Sequence, residues 1–428
     1  MNLLDLPSEI FAIIIHEYLH NDGGWAAAVQ GRYVCKGFAV AIHDDMFGRH
    51  SAYYYRSFNA DRKERLLGPN VHTILFKMGP TRCRSTYILD NMKATVNFLM
   101  EFSYDQTQAQ RERYRLALCN AMSAALSVKE ILACLCFGPS DDSVEVRKNM
   151  GRADTVGMLA AAAAVNSEPA LRFLIDKVYD VGLRSQLYGT PLTAAAVNGH
   201  LHSATFIYER MENGVYKHNQ LYDAIDTCMN MHHATILPTL MSWYLEYCNS
   251  KRSTREAKQG WADWALLNGV LDVLHFCYDP KNALRCKRRL EATPFFLACQ
   301  YGRAPVIQYL LQIHPTLRSA IHTCRKGSPG ARELWQGLTA AVENGWLMAT
   351  RLLIHSGMRI DYGEKCGISC TPLIWYAVKG ENIDMVLLLL AYGAVVPERD
   401  DIWALAANQG PEMAKLMQVA WNAQVGKK

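Results

Sequence analysis

Several absences narrow the chain before any motif is read. No apolar run approaches the roughly 18 residues a helix needs to cross a bilayer, so no membrane-spanning segment is expected. Charge of one sign is not in excess: 45 Lys and Arg face 40 Asp and Glu, for a net +5. A nucleic-acid partner usually requires basic residues gathered on one face, so none is expected. No secretory leader is expected either, because the first apolar run, Ile10 to Ile15, is short and has acidic residues on both sides. The cysteines are odd in number (13) and scattered, which reads as reduced thiols and a cytoplasmic or nuclear chain. No phosphate-binding Gly loop, nucleophile elbow or paired-carboxylate signature is present, and no cofactor is expected. Pro, Gly and Ser are not enriched over 49–150, so that stretch reads as packed helices joining two modules and not as a flexible linker.

What is present is a phrase that returns. Thr190-Pro191-Leu192 leads to Ala195-Ala196-Val197-Asn198-Gly199-His200, and Thr293-Pro294-Phe295 to Ala298-Cys299-Gln300-Tyr301-Gly302. Thr371-Pro372-Leu373 leads to Ala377-Val378-Lys379-Gly380. A recurrence at roughly 33 residues marks a stacked helical repeat. Each part of the phrase has a use. Thr caps a helix start, and Pro fills a first-turn position whose N–H has no partner in any case. The small Ala pair lets two helices approach closely, and Gly permits φ > 0 in the turn between them. An aliphatic run then supplies the second helix, as in Val306-Ile307 with Leu310-Leu311 and in Val386 to Leu390.

Aligned on that Gly, further copies end at Gly269, Gly345 and Gly410, and one upstream ends at Asn166. Asn is the residue that best replaces Gly in left-handed backbone. A weaker copy spans Asp223 to Leu240 with its turn near His232. The anchors run 166, 199, 232, 269, 302, 345, 380 and 410, and the longest gap holds a loop insertion at Cys324 to Gly330. This array resembles ankyrin repeats over about residues 154–420. The family usually has His after T-P-L, where this chain has Thr193, Phe296 and Ile374, so the inter-repeat hydrogen bonds of that His are not expected here. The resemblance implies a helical solenoid whose loops and first helices form a concave protein-binding surface.

Residues 1–48 have another character. Leu6-Pro7-Ser8-Glu9-Ile10 is a helix start, with Pro early and an acidic first turn. Ile10, Ile14, Tyr18 and Leu19 fall on one helical face. After the Gly23-Gly24 break come Trp25, Val29, Val34-Cys35-Lys36-Gly37-Phe38, Ile42 and Met46-Phe47, for three short helices in all. So small a module is marginal alone and often completes its core on a partner. The pattern L-P-x-E-I … V-C-K-x-F resembles an F-box, with a middle longer than usual. The resemblance implies docking on a Skp-type adaptor of a cullin ubiquitin ligase through Leu6, Pro7, Ile10, Ile14, Val34, Cys35 and Phe38.

The expected fold is therefore all-α: an F-box-like module (1–48), a helical connector with a degenerate repeat turning near Ser127 (49–150), and an ankyrin-type array of seven or eight repeats (151–428). The module order resembles that of filamentous-fungal F-box/ankyrin proteins. The expected function is a non-catalytic adaptor, whose target-binding residues lie beside the turns: Asn198, His200, Gln300, Tyr301, Arg303, Glu343, Asn344, Trp346, Lys379 and Gln409. Two other readings stand beside it. One is a binding scaffold whose first residues only cap the array. The other is a zinc hydrolase through His16-Glu17-Tyr18-Leu19-His20, which matches H-E-x-x-H but has Ala26 at the third-ligand position of the longer motif and only a short stretch before it. No metal is expected. Cys366 with Cys370 lack a second pair, Cys134 and Cys136 read as core, and Arg285 to Arg289 reads as a solvated basic loop.

Overall fold

The computed structural model describes residues 8–21, 36–48, 50–56, 67–137, 155–178, 180–212, 215–231, 233–247, 251–279, 292–314, 317, 321, 331–360, 371–398 and 400–425. Among these the fold is all-α, a succession of short helix pairs preceded by packed helices, and extended backbone pairs only in an isolated bridge between Ser185 and Gly189. No single described helix is long and apolar enough to cross a membrane. The chain forms two compact units, Met1–Tyr247 and Cys248–Lys428.

The first unit opens with α1 (Ser8–Asn21) and α2 (Lys36–Gly48), which meet around Ile15, Ile42, Met46 and Phe47, all buried. Among the described side chains of α1, Ile15 is buried in this core, while Ile14 is half-buried. His16 on α1 sets its Nδ1 3.0 Å from the buried carboxylate of Asp45 on α2. The short α3 (Ala52–Arg56) adds Tyr55, whose hydroxyl donates to the Met46 carbonyl at 2.7 Å. Burial, the main cause, holds that phenol well above its ordinary pKa.

The connector consists of α4 (Val71–Lys77), α5 (Tyr87–Met100), α6 (Gln108–Ala125) and α7 (Val128–Phe137). Thr107 caps α6 by accepting the Gln110 N–H at 3.2 Å. The turn near Ser127 is present, but a capping box builds it. Ser127 Oγ accepts the Glu130 N–H at 3.3 Å while Glu130 accepts the Ser127 N–H at 2.7 Å. Leu126, just before it, is extended (φ −119), so this turn lacks the left-handed residue of the repeats. Cys134 and Cys136 are buried in α7, as core.

Three helix pairs complete this unit: α8 (Thr155–Ala164) with α9 (Glu168–Ile175), α10 (Pro191–Ala196) with α11 (Leu201–Tyr208), and α12 (Val215–Asn230) with α13 (Leu237–Tyr247). Ala160 to Ala164 and Ala194 to Ala196 have no exposed surface, because α8 and α10 pack directly on each other. Among its described residues the second unit holds five pairs: α14 (Lys251–Asn268) with α15 (Leu271–Tyr278), α16 (Ala292–Gln300) with α17 (Ala304–Ile313), α18 (Ala331–Glu343) with α19 (Leu347–His355), α20 (Leu373–Lys379) with α21 (Ile383–Ala391), and α22 (Asp400–Asn408) with α23 (Pro411–Val425). Second helices bury aliphatic clusters such as Val306, Ile307, Leu310 and Leu311. At roughly 1.5–3 kcal/mol per side chain, this burial is the main term offsetting the entropy of ordering each repeat.

The T-P start takes a different form in each copy. At α10, Thr190 caps the helix, accepting the Thr193 N–H at 3.2 Å, and Pro191 is the first helical residue. At α20, Pro372 itself is the N-cap and no side-chain cap forms. At α16, the helix already begins at Ala292, ahead of Thr293 and Pro294.

Candidate functional site

Each helix pair whose turn is described turns through one left-handed residue. Asn166 (φ 56), Gly199 (72), Gly269 (77), Gly302 (65), Gly345 (73) and Gly410 (120) occupy it as expected. One anchor moves. Gly380 has φ −80, and the left-handed residue is Glu381 (φ 58). Gly380 has a different reason to be Gly: a Cβ there would stand 2.6 Å from the Glu343 carbonyl oxygen of the preceding pair. The expected turn at His232 lies outside the described residues.

Every one of these turns but that at Gly410, where Pro411 has no N–H to give, shares one backbone bond. The N–H that follows the left-handed residue donates to the carbonyl five residues before it: Ser167 to Ala162, His200 to Ala195, Val270 to Ala265, Arg303 to Ala298, Trp346 to Ala341 and Asn382 to Ala377. This is the Schellman pattern, which satisfies carbonyls that a helix end otherwise leaves open. Just before the turn, Asn198, Asn268 and Asn344 each fold back to donate to the carbonyl four residues earlier, at 3.0, 2.9 and 2.8 Å.

Beside these turns lies a device that the sequence did not reveal. The residue after the turn reaches back to the preceding pair and donates to a carbonyl two residues before that pair's left-handed residue. Arg303 Nε donates to the Leu267 carbonyl at 2.9 Å, and Trp346 Nε1 donates to the Gln300 carbonyl at 2.7 Å. The Ala164 carbonyl near the His200 ring favours its protonated form, while burial, the larger effect, pulls its pKa below the ordinary value. Arg303 and Trp346 also cover the preceding turn, as Asn382 does one pair further on. A methyl at Gly302 would overlap the Trp346 ring, one at Gly269 would press on Arg303, and one at Gly345 would meet Asn382. Side chain to carbonyl bonds thus clasp neighbouring helix pairs together.

His200, Arg303 and Trp346, expected to meet a target, are therefore already engaged in holding neighbouring pairs together. Asn198 is engaged too: its amide donates to the Ala117 carbonyl at 3.1 Å and its oxygen accepts from Asn120 at 3.1 Å, both on α6. Tyr188 adds to this junction, with its buried hydroxyl 3.2 Å from Thr95 Oγ1 on α5. Glu343 and Lys379 form an ion pair between adjacent pairs at 2.5 Å, and that bond raises the Lys379 pKa. Gln300 and Gln409 are half-buried and Asn344 is exposed. Tyr301 is 45% exposed and Trp346, even as a clasp, 43%.

In the N-terminal module, Leu6, Pro7, Val34 and Cys35 lie outside the described residues, as do the side chains of Phe38 and His20. Ile10 is 46% exposed, and two apolar residues that the motif does not name are more so: Ile13 at 55% and Val40 at 60%. Ile10 and Ile13 are three residues apart on α1, hence on one face. The H-E-x-x-H reading meets a plain alternative at His16, whose ring ties α1 to α2 through Asp45.

No protein-family model matches the sequence. The chain is similar to the crystal structure of the human ASB11 ankyrin repeat domain, at 19% identity and a TM-score of 0.24, over 61% of this chain and 96% of that one. What marks the repeat is the recurring turn geometry itself.

Proposed function

We propose that this protein is a non-catalytic adaptor: its helix-pair array holds a target protein, and its N-terminal module joins a Skp-type adaptor and cullin complex of a ubiquitin ligase. The observation that supports the holding role is the row of turn-flanking side chains that keep exposed surface, Tyr301, Trp346, Asn344 and Lys379. Exposed aromatic residues on a rigid scaffold are efficient anchors, because they offer contact area at little entropic cost. The adaptor role is supported by Ile10, Ile13 and Val40, apolar residues left open on a module too small to spare them.

Co-purification of the full chain with a recombinant Skp-type adaptor tests the ligase part. Ile10→Asp with Ile13→Asp is expected to abolish capture while leaving helicity unchanged, since both side chains are exposed. Failure of the wild-type protein to capture the adaptor, or unchanged capture by the variant, sinks the ligase role and leaves a binding scaffold.

A further inference from the structure

The connector contains a cleft that the adaptor reading does not use. It lies between α5 and α6, is lined also by Met78 and Gly79, and has a volume of about 570 Å³, within the range of ligand pockets. Its floor is apolar: Met78, Met92 and Val96 are buried there and Leu89 is half-buried. Its rim carries three cations, Lys93 on α5 and Arg111 and Arg115 on α6.

None of the three has a carboxylate partner among the described residues. Arg111 donates to the Asn97 side chain at 2.7 Å. Arg115 donates to the Met78 carbonyl at 3.3 Å and lies over the Phe76 ring at 5.1 Å. Each bond fixes a guanidinium at the cleft and leaves most of its five N–H donors unused. Arg111 and Arg115 are four residues apart on one helix face, an arrangement that costs stability when the charges are alike. Where Arg111 meets Asn97, antiparallel packing brings Arg115 to the level of Lys93, one turn back on α5. Two carboxylates share the rim, Asp90 and Glu112, and Glu112 accepts from Gln108 at 3.4 Å. The balance is still three cations to two anions, with two of the cations forked donors suited to carboxylates.

From this geometry we infer a second protein-binding site, one that takes an acidic peptide segment. One apolar side chain fills the floor over Met92 and Val96, and flanking carboxylates meet Arg111, Arg115 and Lys93. Charge complementarity selects this occupant: a purely apolar segment leaves the cations unmatched, and a purely acidic one leaves the floor empty. The site is independent of adaptor docking and of the turn-flanking surface.

The probes are fluorescein-labelled eight-residue peptides, each carrying one Leu, Met or Phe between pairs of Glu, titrated against the full chain by fluorescence anisotropy. At least one is expected to bind saturably and to weaken as salt rises. Arg111→Gln with Arg115→Gln should lower its affinity at least ten-fold at unchanged helicity. Arg113→Gln, on the same helix but outside the cleft, should leave it unchanged. Replacing every Glu of the peptide by Gln should abolish binding. The proposal is overturned if no peptide binds saturably, if the Gln peptide binds as well, or if Arg113→Gln weakens binding as much. It is equally overturned if the cations serve only vesicles of phosphatidylserine and not the peptides.

Discussion

Gly302 already holds φ +65, and a methyl added there would overlap the Trp346 ring. Gly302→Ala should therefore cost about 1–2 kcal/mol for its left-handed backbone plus a further penalty for the overlap. Trp346→Ala removes the bond to Gln300 and the cover over the turn, for about 2 kcal/mol. In the double variant the overlap is gone, so a denaturant-unfolding cycle should show a coupling of about 1 kcal/mol or more. Additive effects would refute the clasp. Histidine supplies a second test at this scale. Burial lowers the pKa of His200, and burial, with His43 and His233 adding, lowers that of His72. These rings take up protons less readily folded than unfolded. Stability they do not diminish above the ordinary value of 6.5 is thus lost as pH falls below it toward the folded values. The thermal midpoint should drop between pH 7.5 and 5.5, and drop less in His200→Gln.

At the scale of the element, the α20–α21 turn offers an unusual pair of substitutions. An alignment on Gly puts Gly380 at the flexible position, yet Glu381 carries the positive φ. Glu381→Gly should stabilise the chain by about 0.5–1 kcal/mol, because it relieves a left-handed side-chain residue. Gly380→Ala should destabilise it markedly, because its Cβ would crowd the Glu343 carbonyl. Chemical denaturation of the two variants distinguishes the registers, and the reverse order would restore the simple alignment. The helix starts are unequal as well. Thr190→Ala removes a true cap and should cost about 1 kcal/mol. The corresponding change at Thr371 removes no such cap, since Pro372 is the N-cap there.

For the whole molecule, the division into two compact units argues against a single cooperative transition. Calorimetry of the full chain should resolve more than one transition. Gly302→Ala, in the second unit, should shift one of them and leave His200-dependent acid sensitivity with the other. A single transition displaced as a whole by either variant would mean that the units unfold as one.

Period, turn residue and pair order were open to reading from the chain alone, because φ > 0, close helix approach and an aliphatic face each demand particular residue types at particular spacings. Thus Ala195, Gly199 and Gly302 announced their roles locally. Asn198 is a different case: its position beside the turn marks it as a target contact, yet it folds back on Ala194, and its bonds to Ala117 and Asn120 join residues far apart in the chain. Only the tertiary structure could decide which carbonyl Trp346 or Arg303 reaches, why Gly380 must be Gly, and which isoleucines of α1 remain open. Those outcomes depend on how one helix pair is set against the next, a matter of a few ångströms that no local spacing encodes.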